Sequence, residues 1–415
     1  MSLDVKAFGV TDLGRKRKRN EDALVMDPQI GLYAVADGMG GHNAGDVASQ
    51  RAVDVVRAHL LARPDALEAF AEDPSPARGA AASHLVEEAI QAACADIHRM
   101  AEGDPKLRGM GTTFVCLVVA GERAVVAHVG DSRLYLFRSG ALHVLTEDHT
   151  LVAAQIKAGE ITLEGAKNSP FKGVLTRALG QNESVEVDTL VVDLYPGDAF
   201  LLCSDGLHGY LDDGELGARL GEGVSEALAA GLVTVANERG GRDNITALVV
   251  SAEAHAAAAP SEALARIDVL RRIPLFEHLT YREQNEVLAV AHTRTYPLGA
   301  TVVREGEPGG DLFVLLAGQV SIERGGLPIA SVTAGGHFGE MGLVDAGPRS
   351  ASVRAVEPLR AMIIHRDAML ALMQREPTLA VKMLWAFVQV LSQRLRVTNT
   401  ELSEMLSSGP ETTRL

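Results

Sequence analysis

The sequence predicts an α+β protein in two parts: packed antiparallel sheets with helices outside, then a small barrel or jelly roll. Three observations predict it. Over residues 1–250, short runs rich in β-branched and aromatic residues recur, and helical stretches are grouped rather than alternating with them one for one. An Ala-rich stretch, 253-EAHAAAAPSEALAR-266, then breaks the texture. Beyond it, glycines punctuate closely spaced strand-like runs in 300-ATVVREGEPGGDLFVLLAGQVSIERGG-326.

In chain order, 32-LYAVA-36, 113-TFVCLVVA-120, 124-AVVAHV-129, 134-LYLF-137, 199-AFLLC-203 and 245-ITALVV-250 read as strands bounded by Gly or Asp turns. Helices are expected near 44–62, 84–101 and 224–238, where apolar residues fall three and four apart, as at Val53, Val56 and Leu60. No repeated βαβ order appears, which argues against a doubly wound parallel sheet. Residues 63–83, rich in Ala and Pro, read as a loop extension without chemistry. The expected boundaries are a first domain at 1–252, a linker at 253–267, a second domain at 268–395 and a helical extension and tail at 396–415. In the second domain a helix near 281–292 precedes strands carrying Val302, Phe313, Val314, Leu315, Val320 and Ile322. A last helix begins near Thr378. There Leu384, Val388, Leu391, Leu395, Thr398, Leu402 and Met405 recur at alternating spacings of four and three, a two-stranded seam pattern weakened at Thr398; the residues before Leu395 pack on their own domain or join such a seam, and beyond it an exposed or dimerising helix is expected.

The totals bound the function. Of 415 residues, 47% are hydrophobic and 22% charged, a globular composition. A formal net charge of -15 excludes a global basic surface, and with it nucleic acid as the main partner. The local run 15-RKRKR-19 is a solvated turn or places one arginine against an anion. Cys94, Cys116 and Cys203 lack metal-ligand spacing and fit no disulfide framework. No apolar run approaches the ~18 residues of a membrane span. A soluble protein of a reducing, cytoplasmic compartment is expected.

Acidic residues gather at strand ends. Asp22 precedes one strand, Asp37 closes the next, Asp205 follows 199-AFLLC-203, Asp243 precedes 245-ITALVV-250, and Asp131 lies in the turn of 127-AHVGDSRLY-135. One carboxylate at a strand end ordinarily makes a turn or a cap. Five around one sandwich repel each other unless cations sit between them. Oxygen ligands without a Cys or His cluster suit Mg²⁺ or Mn²⁺ rather than zinc.

Together, 11-TDLGRKRKRNED-22, 37-DGMGGHNAGDVAS-49, 111-GTT-113, 128-HVGDSR-133, 146-TEDHT-150, 175-LTRALG-180, 203-CSDGL-207 and 243-DNIT-246 resemble the bacterial branch of the PPM family of metal-dependent Ser/Thr protein phosphatases, the PP2C-like group. The segments occur in family order and span residues 1 to about 251. The resemblance implies a two-sheet αββα sandwich with a binuclear metal centre at one edge. It implies that Asp37 bridges two metals with help from the Gly38 carbonyl, and that Asp205 and Asp243 hold one of them. Asp22, with Glu21 through water, would serve the other side, and Asp131 a third metal. A water between two cations about 4 Å apart is acidified and attacks phosphorus in line. Arg17 is implied as the phosphate clamp, since a guanidinium fork matches phosphate oxygens. The histidine that eukaryotic relatives carry after the metal-binding Asp-Gly is replaced by Met39, and His42, three residues on, reads as structural. The stretch from His149 to Gly180 is the family's variable flap. It departs from close relatives at 168-NSPFKG-173, which bears on substrate preference.

In the second domain, 335-GGHFGEMGLVDAGPRSASV-353 sets two glycines before an acid and an Arg-Ser after a Gly-Pro turn. Backbone amides freed by glycine can hold a phosphate, Arg349 could neutralise it, and Glu340 could accept from a sugar hydroxyl. The bland alternative is a tight corner with an internal Glu-Arg pair. The stretch resembles the phosphate-binding cassette of cyclic-nucleotide-binding domains, and the resemblance extends over roughly 268–395. It implies that Arg349 pairs with the cyclic phosphate of cAMP or cGMP, Glu340 holds the ribose 2′-hydroxyl, and Gly339 and Ser350 lie near the phosphate. Only about 20 residues follow Leu395, too few for a DNA-binding helix-turn-helix. The expected function is a phosphoserine/phosphothreonine protein phosphatase regulated by a cyclic nucleotide. The alternatives are a nucleotide-responsive binding protein with a vestigial phosphatase domain, and an active enzyme whose second domain only dimerises or targets.

Overall fold

The computed structural model describes residues 3–40, 44–73, 75–167, 169–171, 173–254, 269–270, 273–344 and 347–407, with the backbone alone at 163, 167, 254, 393–395, 397–399 and 401–407. The chain divides into two compact units, 1–259 and 260–415. Most of the expected linker at 253–267 and the tail beyond 407 lie outside the described residues.

The first unit opens with strands β1 (Leu3–Asp12), β2 (Asp22–Asp27) and β3 (Leu32–Met39), then helices α1 (Gly45–Leu61), α2 (Asp65–Glu72) and α3 (Pro76–Gly103). Strands β4 (Gly111–Thr112), β5 (Phe114–Ala120), β6 (Arg123–Val129), β7 (Arg133–Arg138) and β8 (Ala141–Val144) follow. After α4 (Leu151–Lys157) and α5 (Leu163–Lys167) come β9 (Asp188–Asp193) and β10 (Ala199–Cys203). Helices α6 (Asp205–His208), α7 (Asp213–Gly221) and α8 (Glu226–Glu238) lead to β11 (Ile245–Ala254).

Its strands form two antiparallel sheets, β1-β11-β10-β7-β8 and β2-β3-β5-β6-β9, with β4 paired to β3. Burial shows how they stack. In β3, Leu32, Ala34 and Ala36 meet Val53, Val56 and Leu60 of α1 and Ile90, Ala93 and Ile97 of α3. Tyr33 and Val35, on the opposite face, are buried as well. In β11, Ala247 and Val249 meet Leu216 and Leu220 of α7 and Leu232, Val233 and Ala236 of α8. Leu248 and Val250 are buried on the other side. Strands covered on both faces require helices on one and the second sheet on the other, which is the expected αββα order. Each such aliphatic side chain contributes roughly 1.5–3 kcal/mol on burial.

Residues 63–83 are not the loop extension that their composition suggested. They hold α2 and the start of α3, whose first residue is Pro76, a position where no N–H is needed. Leu67 and Phe70 anchor α2, and the Arg123 guanidinium lies 4.3 Å from the centre of the Phe70 ring.

The second unit contains α9 (Tyr281–Ala289), β12 (Ala291–Tyr296), β13 (Thr301–Val303), β14 (Leu312–Ala317), β15 (Gln319–Arg324), β16 (Leu327–Thr333) and β17 (His337–Phe338). Then follow α10 (Met341–Val344), β18 (Ser352–Ala355), β19 (Leu359–Ile364), α11 (Arg366–Arg375) and α12 (Pro377–Ser407). Thr280 and Glu283 close a reciprocal capping box at the start of α9.

The predicted barrel, or jelly roll, is not what forms. The strands make two separate four-stranded sheets, β12-β19-β14-β17 and β13-β18-β15-β16, and neither closes on the other. The edge strands explain it. β17 has only two residues and runs into Gly339 at φ +84°, and β13 has three, with a register shift between Thr301 and Val303. Neither is long enough to carry hydrogen bonding round a corner. The sheets instead share a core of Phe313, Leu315, Val320, Phe338, Val353 and Ile363. The outer face of β14 and β19 packs Val314, Met362 and Ile364 against Phe276, Leu372, Met383 and Phe387 of the helical layer. On α12, Leu379, Met383 and Phe387 are buried, while Val381, Leu384, Trp385, Val388 and Leu391 are exposed. The rest of the predicted seam, from Leu395, has side chains outside the described residues.

Candidate functional site

Strand ends in the first unit bring its acidic residues together. Asp22 and Asp37 are direct cross-strand partners of β2 and β3. Asp205 opens α6 just past the end of β10, Asp243 stands just before β11, and Asp131 lies in the turn between β6 and β7. Glycines permit the close approach. A Cβ at Gly38 would lie 2.1 Å from the Gly45 carbonyl oxygen and 2.5 Å from that of Glu21, and one at Gly206 would lie 1.9 Å from that of Asn244.

The carboxylates act on one another. Burial, reinforced by Asp205 and Asp243, pushes Asp22 up to about 6, although hydrogen bonds from Thr246 and Ser204 oppose the shift. Asp37 is driven well above the usual carboxylate range by burial and then by Asp22, Asp205, Asp131 and Asp243. Asp131 rises to about 7 and Asp205 rises too, both chiefly through burial. Among the described residues, Asp22 Oδ1 and Asp205 Oδ1 are buried without a hydrogen-bond donor. Buried acceptors without donors, in an all-oxygen set of mutually repelling carboxylates, fit hard divalent cations.

Further side chains hold this set in place. Ser204 Oγ and Thr246 Oγ1 donate to Asp22 Oδ2 at 2.8 and 2.6 Å. The Asp37 N–H donates to Thr113 Oγ1 at 3.0 Å, and Thr113 is joined to Ser132 at 2.7 Å. Asn244 Oδ1 accepts from the Glu21 N–H at 2.9 Å, while its Nδ2 donates to the Leu13 and Arg19 carbonyls. Sequence reasoning assigned these residues no role. The available signal was position: Ser132, Ser204, Asn244 and Thr246 lie within segments that carry one of the acids, and Thr113 closes the 111-GTT-113 segment.

Arg17 Nη2 donates to Asp243 Oδ2 at 2.7 Å, and its Nη1 is 3.8 Å from Glu21 Oε2, so it stands at the lip of the acidic centre. Its ion pair with Asp243 raises its pKa further. Arg15 and Arg19 are exposed. Met39 ends β3, and His42 lies outside the described residues.

A second cluster lies beside the Asp131 turn. Ligand atoms of His128, His149 and Asp188 lie within 4.8 Å of one another, close enough to hold one ion. They also hold each other: the imidazoles stack at 4.7 Å, Asp188 Oδ2 is 3.4 Å from His149 Nε2, and Arg177 donates to Asp188 at 2.9 Å. Burial pushes His128 down to about 4, so it stays neutral.

In the second unit Gly339, Glu340, Arg349 and Ser350 line one cleft of about 480 Å³, walled on its apolar side by Val303, Ile322, Ile329 and Val332. A cleft of that size suits a small ligand, within a range of about 300–1,000 Å³. Arg349 Nη1 donates to the Asp311 carbonyl at 3.0 Å, and burial lowers its pKa. A Cβ at Gly309 would lie 2.5 Å from Arg349 Nε, and one at Gly339 3.0 Å from Nη1. These glycines make room for the guanidinium. Glu340 is buried and Ser350 is exposed at the rim.

Comparison with known proteins matches both units. The Protein phosphatase 2C family model matches residues 14–246, and the Cyclic nucleotide-binding domain model matches residues 293–376. The serine/threonine phosphatase stp of Listeria innocua is 41% identical over 244 residues, which cover 58% of this chain and 93% of that protein. The crystal structure of the Mycobacterium tuberculosis serine/threonine phosphatase PstP/Ppp aligns with a TM-score of 0.54 at 33% identity, covering 61% of this chain and 100% of that one. A structure of the catalytic domain of PstP in complex with two manganese ions aligns with a TM-score of 0.51 at 34% identity, with the same coverage of 61% and 100%. The chain therefore belongs to the protein phosphatase 2C family, as a serine/threonine phosphatase that carries a cyclic nucleotide-binding domain in its second unit.

Proposed function

We propose that this enzyme hydrolyses phosphoserine and phosphothreonine in proteins phosphorylated by Ser/Thr kinases, using two or three Mn²⁺ or Mg²⁺ ions, and that cAMP or cGMP bound in the second unit regulates it. The observation that carries the first part is the convergence of Asp22, Asp37, Asp131, Asp205 and Asp243, with donorless oxygens on Asp22 and Asp205. The two manganese ions of the PstP complex support the same reading. Asp37 and the Gly38 carbonyl would hold both central cations, Asp205 and Asp243 one of them, Asp22 and Glu21 the other, and Asp131 a third. When bound, the cations supply Lewis acidity: they acidify water and neutralise phosphate charge.

The chain supplies the geometry. Ser204 and Thr246 occupy Asp22 Oδ2, which leaves the buried Oδ1 free to take a cation. Arg17, already at the lip, offers a guanidinium fork that can pass from Asp243 to an incoming phosphate dianion. In the second unit Arg349 would pair with the cyclic phosphate, Glu340 with the ribose hydroxyl, and Gly339 and Ser350 would lie beside the phosphate. The glycine clearances around Arg349 support this placement.

The exposed Val381, Leu384, Val388 and Leu391 on α12 repeat at three and four residues, on the face opposite Met383 and Phe387. We assign this face to a homodimer. Leu384→Glu with Val388→Glu should halve the mass measured by light scattering, and an unchanged mass would reject the dimer. A cytoplasmic location is supported by three free, buried cysteines. Among the described residues, no helix is long and apolar enough to cross a membrane.

The test is Mn²⁺-dependent phosphate release from a phosphothreonine peptide by the full chain, with and without cAMP and cGMP. Release that needs Mn²⁺ and shifts with one nucleotide supports the whole reading. Release indifferent to both would remove the regulatory part, and release undiminished by chelator would remove the metal.

A further inference from the structure

The His149 side chain is taken up by neither proposed site, yet it clasps the turn that carries Asp131. The His149 N–H donates to the Gly130 carbonyl at 2.9 Å, and the Gly130 N–H donates back to His149 Nδ1 at 3.1 Å. One residue thus grips both the N–H and the carbonyl of Gly130, the residue that precedes Asp131. The returning bond uses Nδ1, which leaves Nε2 facing Asp188 Oδ2 at 3.4 Å and Arg177 Nη1 at 3.0 Å. Arg177 donates to Asp188 at 2.9 Å and forms an ion pair with Glu186 at 2.5 Å, so the carboxylate that orients the ring is itself anchored. Next in sequence, Asp148 is gripped by Arg133 through two bonds of 2.8 and 2.7 Å.

His149 also stands at the root of the flap. Its carbonyl accepts from the Thr176 N–H at 2.8 Å, and the Leu151 N–H donates to the Val174 carbonyl at 2.9 Å. We propose that His149 is a positioning residue that locks the Asp131 turn to the base of the flap, and so sets the affinity of the Asp131-dependent cation. The proposal rests on the assignment of Asp131 as a cation ligand. A metal held directly by His128, His149 and Asp188 is the weaker reading, because the Arg177 guanidinium already occupies that space, 3.0 Å from His149 Nε2.

The experiment compares His149→Asn, whose Oδ1 can take the place of Nδ1, with His149→Gln, whose carbonyl reaches the Nε2 position instead. Mn²⁺ binding to the full chain is titrated by calorimetry, alongside Asp131→Ala and the Asp131→Ala/His149→Gln double variant. Melting temperature serves as a check on folding. The expected result is that Asp131→Ala loses the weakest Mn²⁺, His149→Gln weakens that ion about tenfold and spares the tighter ones, and His149→Asn stays within about twofold of wild type. The double variant should be no worse than Asp131→Ala alone. Equal behaviour of Asn and Gln, or additive losses in the double variant, would overturn the clamp while leaving Asp131 as a ligand. An unchanged ion count in Asp131→Ala would overturn both the ligand assignment and the clamp. Loss of a tightly bound ion in both His149 variants, with the Asp131-dependent one intact, would favour the direct His site.

Discussion

The acidic centre draws its groups from positions as far apart as Asp22 and Asp243, whereas the groups proposed to hold a ligand in the cleft of the second unit all come from 339–350. The first is therefore a property of the whole αββα sandwich. The second is a local loop that a different scaffold could carry. Their electrostatics differ in the same sense. In the centre four carboxylates add to burial in driving Asp37 well above the usual range, while the cleft has one half-buried arginine made comfortable by a backbone carbonyl. A site for cations stores repulsion in the empty protein; this site for an anion stores little.

Four substitutions or conditions sharpen that contrast. The largest effect is expected from Asp37→Ala, which should lower Mn²⁺-dependent turnover on a phosphothreonine peptide by about 10³-fold or more. Calorimetry should find its nucleotide affinity unchanged, and normal turnover would end the metal reading. Next, Arg349→Ala should weaken nucleotide binding by at least about 30-fold, since removing one partner of a buried charge pair costs about 2–5 kcal/mol. Unchanged affinity would move the ligand elsewhere.

The stored repulsion should appear as a pH dependence of the metal-free protein. Asp22 is raised to about 6, so its stabilising contribution is complete below its unfolded value near 3.8 and is lost as pH rises through 6. The first unit should thus lose about 3 kcal/mol from this group between roughly pH 4 and 7. Chemical denaturation in chelator would follow this loss, added Mn²⁺ should reverse it, and a flat profile would contradict the burial seen here. The smallest effect is expected from Gly339→Ala. Its φ of +84° and a Cβ 2.6 Å from the Asp311 carbonyl should cost about 1–3 kcal/mol in the second unit, read as a lower melting temperature.

What could be read from sequence follows the same division. Strands buried on both faces, such as β3 and β10, announce themselves as short apolar runs, and their acidic ends mark the site. β1 did not, although it pairs with β11 along its whole length, because Asp4, Lys6 and Gly9 interrupt its apolar pattern. α2 stayed hidden because Leu67 and Phe70 are its only buried anchors. The open sheets of the second unit were misread as a closed barrel because strand composition says nothing of edge length, and β13 and β17 are too short to wrap. Ser204, Thr246 and Asn244 act by hydrogen bonds to partners remote in the chain, which spacing cannot reveal.

The chain contains a single tryptophan, Trp385, and 59% of it is exposed on α12. Its fluorescence is therefore a built-in lamp for the second unit against which the phosphatase unit is dark. A blue shift as rising concentration drives assembly, or on addition of nucleotide, would signal the loss of water around that helix face without any dye. A silent spectrum would show that the indole keeps its solvent shell in both states.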